Sequence, residues 1–212
     1  MDALGGATLA RLEKNLLLPL PGERVQAAMT PERRRREKVE RSDWKKAAVL
    51  LLLHPAEVGL ALPLTRRRDD LPVHAGQISL PGGSIEEGEG PEEAALREAF
   101  EEIGIRREAV RVLGRLSPLR IAPTGFEVIP ILAFVQERPL YILEEREVAE
   151  IIELPLTRLL ESGARRSEEW QIHGGPSLVP FWQVGTHKVW GATAMILAEL
   201  AWLIDPITPI QS

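Results

Sequence analysis

The sequence predicts an α+β fold in which helices cover a mixed β-sheet. The apolar run Ala47–Leu53 indicates a buried strand, and Gly59–Leu64 is its expected hairpin partner after the His54–Pro55 turn. From Pro91 to Ile103, apolar residues recur at steps of three and four, as in an amphipathic helix. The segment Trp190–Ile204 is apolar almost all round, which predicts a helix buried either in the core or against a second subunit.

The residues before the first strand predict a smaller N-terminal unit. Apolar residues at helical spacing indicate a short helix over Ala7–Leu18, which the Pro- and Gly-containing turn 19–22 ends. The arginine run 33–36 has acidic neighbours, so a solvated, salt-bridged linker is favoured over a phosphate-binding patch. We therefore expect residues 1–46 to form a helix and charged linker packed on a domain of residues 47–212.

The second half of the chain predicts the remaining elements of the domain. They are strands at Val110–Leu116, Phe126–Val135 and Leu178–Trp182, a partly strand-like stretch at Glu147–Leu156, a short helix from Pro155 to Leu160, and a polar loop at Arg165–Glu169. Pro130 cannot donate a ladder hydrogen bond, so it indicates an edge strand or a bulge. Thr65–Asp70 is expected to be a charged loop.

Composition excludes several functional classes. With 212 residues, of which 44% are hydrophobic, the chain can bury the core of one globular domain. The net charge of −5 argues against a general nucleic-acid-binding surface, which needs a basic excess. The absence of cysteine excludes disulfides, thiol catalysis and thiolate metal sites. No apolar run is long enough to span a bilayer and no signal peptide is visible, so we expect a cytoplasmic protein without membrane or nucleic-acid partners.

The helix over Pro91–Ile103 concentrates carboxylates. Glu98, Glu101 and Glu102 are related by steps of three and four, which places them on one patch opposite the apolar residues, Phe100 among them. A solvated acidic face is the ordinary interpretation of such a pattern. The glycine pair 82–83 upstream favours a different one, because glycines let backbone carbonyls approach whatever the carboxylates hold. Mg²⁺ prefers these oxygen ligands together with substrate phosphates, so the pattern predicts a metal–diphosphate site.

These residues carry a resemblance to a known family. Gly83, five residues, Glu89, seven residues and the run Arg97–Ile105 (REAFEEIGI) are similar to the Nudix box, G-x5-E-x7-R-E-U-x-E-E-x-G-U with U aliphatic. All fixed positions are met, and Ala99 is smaller than the usual aliphatic residue. The resemblance implies a Nudix-type α/β/α sandwich with a mixed sheet. It also implies Mg²⁺- or Mn²⁺-dependent hydrolysis of a nucleoside diphosphate linked to another moiety.

The resemblance assigns roles to particular residues. The implied metal ligands are Gly82, through its carbonyl, Glu89, Glu98, Glu101 and Glu102. Arg97 is expected to orient the carboxylates through charge-assisted hydrogen bonds. The catalytic base stays open among Glu98, Glu147 and Glu150, because Nudix enzymes often take a further carboxylate from the region after the box. For each of the last two, surface charge is the alternative interpretation.

A second signature lies upstream of the box. Leu64–Arg67 and His74–Gly83 resemble the motif of the coenzyme A pyrophosphatase branch, which implies that Arg67, His74 and Gln77 bind substrate. Pro63, Arg68, Pro72 and Leu80 depart from that motif. The implied reaction converts coenzyme A or acyl-CoA to 4'-phosphopantetheine and adenosine 3',5'-bisphosphate. Alternatives are an ADP-ribose or dinucleoside polyphosphate pyrophosphatase and, in another class, a non-catalytic nucleotide sensor. Partners would be a small nucleotide and, through the last helix, a second subunit in a homodimer.

Overall fold

A computed structural model describes residues 1–36, 41–73, 75–172 and 175–206. The described residues form four α-helices: α1 (Ala3–Asn15), α2 (Glu23–Gln26), α3 (Pro91–Ile103) and α4 (Gly191–Ile204). The strands are β1 (Lys45–Pro55), β2 (Leu60–Arg67), β3 (Ile78–Ser79), β4 (Gly82–Ser84), β5 (Arg111–Arg115), β6 (Leu119–Ile121), β7 (Phe126–Phe134), β8 (Val148–Pro155), β9 (Arg165–Ile172), β10 (Gly175–Val184) and β11 (His187–Trp190). Short 3-10 helices lie at Ala27–Met29, Glu32–Arg36, Arg107–Ala109 and Leu156–Leu160. None of the helices in these ranges has the length and apolar character needed to cross a bilayer.

The main sheet is mixed and splits at the position of the functional site. Its strand order is β3-β2-β1-β7-β5, with β8 added to β2 and β6 to β7. β1 and β7 run parallel, whereas the other pairs are antiparallel. β1 pairs with β2 only at His54 and Pro55, and its earlier residues 47–49 pair with β4 instead. The short glycine strand β4 is therefore inserted where β1 and β2 separate.

Helices cover both faces of this sheet. Side chains of a strand alternate between its faces, so the apolar strand β1 contributes to a core on each side. Ala48, Leu50 and Leu52 of β1 pack with α3 in one core. Leu51 and Leu53 face the other core, which contains α4. The predicted α+β class with an α/β/α sandwich and a mixed sheet is therefore confirmed. A separate three-stranded antiparallel sheet has the order β11-β10-β9.

Helix α4 is buried within the chain itself. Ten of its residues are buried, and the N-terminal helix α1 covers part of it, with Asn15 Nδ2 donating to the Leu203 carbonyl at 2.8 Å. The fully buried Glu199 accepts hydrogen bonds from Gly22 N at 3.2 Å and from Ser117 N at 3.1 Å. The predicted burial of this helix is thus confirmed, and of the two predicted alternatives the structure shows burial in the core of the chain. The N-terminal segment is attached through a buried carboxylate.

Four sequence predictions were wrong. Arg165–Glu169 is the start of β9, because pairing with β10 forms a strand even where nearly every side chain is exposed. Pro130 lies in the central strand β7, where the neighbour on one side changes from β6 to β5, and that gap in the ladder accommodates it. Phe100 does not join the buried stripe of α3 and is 57% exposed. Thr65–Arg67 belongs to β2, so the charged loop begins later than predicted.

Candidate active site

Helix α3 begins and ends where the sequence predicts, and this fixes the positions of its carboxylates. Pro91 occupies the first turn, and the Glu93 side chain accepts a hydrogen bond from Gly90 N at 2.9 Å. Gly104 ends the helix in the left-handed conformation at φ 74°, which a residue with a side chain adopts only with strain. The helix packs its alanines, Leu96 and Ile103 on the sheet beside β4.

Arg97 is the centre of the charged cluster. Its guanidinium binds both oxygens of Glu89, at 2.9 and 3.1 Å, and one oxygen of Glu98 at 2.9 Å. It also donates to Glu101 at 3.2 Å and to the Ser84 carbonyl at 3.0 Å. Arg97 thereby holds the loop before α3 against the helix. The hydrogen bonds to Glu89 raise the pKa of Arg97, and the same contact lowers the pKa of Glu89.

Two glutamates of α3, the half-buried Glu98 and the buried Glu102, lie against the glycine strand and have raised pKa values. Burial raises the pKa of Glu98 despite its contact with Arg97. Burial, followed by the charges of Glu98 and Glu147, raises the pKa of Glu102 to about 8, although Arg67 and the Gly82 backbone act in the opposite direction. Glu102 is only 8% exposed, and its Oε2 has no hydrogen-bond partner. A buried oxygen of this kind needs a compensating cation or proton.

Glycine is required at positions 82 and 83 because strand β1 and the Glu98 carboxylate lie too close for a side chain. Gly82 and Gly83 pair with Val49 and Ala48 of β1. A Cβ atom at Gly82 would overlap the backbone of this neighbouring strand, and one at Gly83 would overlap the Glu98 carboxylate. Only glycine therefore lets the backbone lie beside the carboxylates of α3, as the sequence predicted.

Arg67 and Glu147 complete this side of the sheet. Arg67 Nη1 lies 3.7 Å from Glu147 Oε2, and Arg67 Nε is buried without a hydrogen-bond partner. The structure places the two remaining candidate bases, Glu147 and Glu150, in different surroundings. Glu147 lies near Glu98 and Glu102 and acts on the pKa of both, whereas Glu150 is 3.0 Å from His187 Nε2 and pairs across the strands with Arg66.

The chain was then compared with known proteins. Residues 44–173 match the model of the NUDIX domain. Nudix hydrolase NudL of Citrobacter koseri is 37% identical over 159 residues, covering 74% of this chain and 81% of that protein. Nudix hydrolase 22, chloroplastic, of Arabidopsis thaliana is 35% identical over 168 residues, covering 76% of this chain and 55% of that protein.

The chain belongs to the Nudix hydrolase family. The predicted family and enzyme class are thereby confirmed: the protein is a Nudix pyrophosphatase that hydrolyses nucleoside diphosphate derivatives. Among solved structures, a MutT protein from Methanosarcina mazei shares the fold, with a TM-score of 0.50 and 20% identity over 77% of this chain and 96% of that one. Nudix hydrolases generally use divalent metal ions such as Mg²⁺ or Mn²⁺.

The site of this Nudix hydrolase fits such an ion. Across the described ranges, no three His, Asp or Glu side chains already form a closed group of metal ligands. Glu89, Glu98 and Glu101 are paired with Arg97 instead. Glu102 nevertheless presents an unpartnered buried oxygen, and a divalent cation would offset both the burial and the neighbouring negative charges that raise its pKa. Carboxylate and backbone oxygens are also the donors that hard cations prefer.

Two predicted substrate contacts are only partly described. Gln77 lies beside Arg67, whose backbone N–H donates to the Gln77 carbonyl at 2.9 Å. His74 lies outside the described residues. Sequence reasoning missed the Ser84 carbonyl, which accepts from Arg97, because a backbone acceptor leaves no signal in residue type. It also missed the stretch 141–146 that leads to Glu147, in which the Glu144 N–H donates to the Glu102 carbonyl at 2.9 Å at the edge of the site.

Proposed function

We propose that this Nudix hydrolase cleaves the diphosphate of coenzyme A or acyl-CoA with Mg²⁺ or Mn²⁺, releasing 4'-phosphopantetheine and adenosine 3',5'-bisphosphate. The observation that carries the reaction type is the half-buried Glu98 and the buried Glu102 beside Gly82, with the Oε2 atom of Glu102 unpartnered. Ions bound there would neutralise the diphosphate and lower the pKa of an attacking water.

The chain's own residues would divide the work as follows. Glu98 and Glu102 would hold the ions, together with the Gly82 carbonyl, Glu89 and the exposed Glu101. Arg97 would keep these carboxylates apart and oriented through its hydrogen bonds, a role that outer residues of metal sites commonly have. Arg67, on the neighbouring strand β2, would meet the substrate phosphate with its guanidinium.

We assign the general base to Glu147 among the three candidates. Glu98 already accepts a hydrogen bond from Arg97, and Glu150 is occupied by His187. Glu147 is half exposed, and its nearest cation is Arg67 at 3.7 Å. A half-exposed carboxylate beside Glu98 and Glu102 would be free to accept a proton from a water that ions held there activate.

The choice of coenzyme A as substrate is based on the motif upstream of the box. Two of the four residues that differ from this motif are buried, which supports the proposal. Pro63 is buried in β2 and Leu80 is 3% exposed, so these two changes alter packing inside the protein. Arg68 is paired with Asp70 at 2.8 Å and does not add a free cation. Pro72, in the exposed loop, is then the one departure that changes the surface a substrate meets. We further propose that residues 1–46 serve as a support for the catalytic domain 47–212.

A panel of substrates tests this proposal. Coenzyme A, acetyl-CoA, ADP-ribose, NADH and diadenosine polyphosphates are incubated with the protein, with and without Mg²⁺ or Mn²⁺, and products are separated by chromatography. We expect the highest kcat/KM for coenzyme A or its thioester, with no turnover in EDTA. Preference for ADP-ribose or a dinucleoside polyphosphate would replace the substrate and keep the chemistry. Binding without turnover of any compound would indicate a sensor.

A further inference from the structure

The segment between β7 and β8 forms one wall of the site and carries Glu147. It crosses the last turn of α3, where Ile142 N–H donates to the Ile103 carbonyl at 3.1 Å and Glu144 N–H to the Glu102 carbonyl at 2.9 Å. On its other side, Arg68 N–H donates to the Glu147 carbonyl at 3.1 Å. The position of the Glu147 side chain therefore depends on where this segment lies between α3 and β2.

One partly buried side chain, that of Tyr141, attaches the start of the segment to the sheet. Leu140 and Ile142 are 92% and 75% exposed, whereas Tyr141 between them turns inward. The Tyr141 hydroxyl is 3.2 Å from Nε2 of the buried His54, and the two rings meet edge to face. The same Nε2 is 2.8 Å from Glu153 Oε2. Two strands, β1 and β8, thus contribute the partners of a single tyrosine.

The contacts among His54, Tyr141 and Glu153 hold the tyrosine ring in one position. His54 Nδ1 lies 2.9 Å from the Pro55 carbonyl and Nε2 faces a carboxylate, so both ring nitrogens point at acceptors. Burial and the nearby Glu153 raise the pKa of Tyr141, so its hydroxyl stays a neutral donor. Burial also acts to raise the pKa of Glu153, but His54, Tyr141 and Arg138 outweigh it and lower that pKa. The carboxylate therefore stays charged and can hold both donors.

We propose that Tyr141, held by His54 and Glu153, is a positioning residue that fixes the segment 141–147 and through it the Glu147 carboxylate. The inference rests on the proposed function in assigning Glu147 a part in hydrolysis. The anchoring itself rests on the contacts above. In this arrangement the tyrosine does not touch the substrate, and it acts on the reaction only through the carboxylate at the other end of its segment.

A double-mutant cycle tests the coupling between the two residues. Tyr141→Phe removes only the hydroxyl, and we expect kcat to fall about tenfold with KM nearly unchanged, because the base acts in the transition state. In a Glu147→Gln background, the same substitution should change kcat less than twofold. Leu140→Ser, at the exposed neighbouring position, is the control and should leave kcat at the wild-type value. An equal loss in both backgrounds would mean that the hydroxyl supports the fold generally, and it would overturn the proposal.

Hydrogen exchange provides a readout that needs no turnover. In Tyr141→Phe, the amides of Glu144 and Val148 should exchange at least tenfold faster, while those of the central strand β7 keep their protection. Glu153→Gln should have the same effect through the other end of the anchor. Unchanged exchange in the segment would refute the anchor whatever the activity. If the wild-type protein hydrolysed nothing in the substrate panel, the proposed function would fail, and exchange alone would decide the anchor.

Discussion

Glu102 makes the metal-free protein sensitive to pH in a way that one substitution can isolate. Its ordinary pKa would be 4.5, and burial beside Glu98 and Glu147 raises it to about 8. The raised folded-state pKa means that the folded protein keeps a proton which the unfolded chain has lost. Stability is therefore fully present below about pH 4.5 and declines as the pH rises towards 8.

The size of the effect follows from these two pKa values. Each tenfold difference in acidity corresponds to about 1.4 kcal/mol, so a fully ionised Glu102 costs about 5 kcal/mol of unfolding free energy. At pH 5, which is only slightly above the pKa of the unfolded carboxyl, keeping Glu102 protonated in the folded protein costs about 1 kcal/mol. Relative to Glu102→Gln, wild-type stability should fall by about 4 kcal/mol between pH 5 and pH 9.

Urea unfolding in EDTA at pH 5, 7 and 9 measures this difference directly. Taking wild type minus Glu102→Gln at each pH removes the contributions of all other titrating groups. Glu101→Gln is the matched control, because it removes a carboxylate from the exposed side of the same helix. Millimolar Mg²⁺ should remove most of the wild-type slope by stabilising the ionised carboxylate. A pH-independent difference for Glu102→Gln would refute the reasoning about burial and charge.

Three further substitutions test the orientation of the carboxylates by Arg97, the space beside Gly83, and the attachment of the N-terminal segment by Glu199. Arg97→Lys loses the planar fork that spans Glu89 and its neighbours, so kcat should fall about 10- to 100-fold, whereas unchanged turnover would contradict the orienting role. Gly83→Ala places a methyl group on the Glu98 carboxylate, so Mn²⁺ affinity and kcat should both drop at least tenfold in titration and kinetic assays. Glu199→Leu leaves the backbone amides of Gly22 and Ser117 unpaired, and denaturant unfolding should show a loss of about 3 kcal/mol.

Two controls show whether the losses of activity are specific to the site. Gly88→Ala also changes a glycine of the loop, at φ 83°, but meets no atom within 4 Å, so it should cost stability without reducing kcat. Glu199→Leu should leave kcat at 20 °C within about twofold of wild type, because the residue lies on the face of the sheet away from α3. A large kcat loss in either variant would show that activity depends on residues outside the contacts described for the site.

Local signals were sufficient where a single element decides the structure. The ends of α3 are set by Pro91 and Gly104, and both act within one turn of the helix. The apolar run of β1 and the motif around Gly83 predicted the strand, the family and the close approach to Glu98. In each case the residues that determine the feature are near one another in the chain, so their spacing carries the information.

Long-range pairing accounts for what could not be predicted. Arg165–Glu169 is a strand only because β10 lies beside it. Glu147 and Glu150 are equivalent in composition, and the register shift in β2 between Arg66 and Arg67, together with His187, directs them to different surroundings. The contact of Tyr141 with His54 joins residues 87 positions apart, and no spacing rule connects them.

Titration of the protein with Mn²⁺, followed by electron paramagnetic resonance at pH 8, tests the central claim most directly. The wild-type protein should remove free Mn²⁺ from solution with at least tenfold higher affinity than a Glu98→Gln, Glu102→Gln double variant. A non-hydrolysable diphosphate analogue should tighten binding in the wild type alone, because the ions and the diphosphate share a site. Equal Mn²⁺ uptake by both proteins, or none by the wild type, would contradict a metal site between helix α3 and the glycine strand.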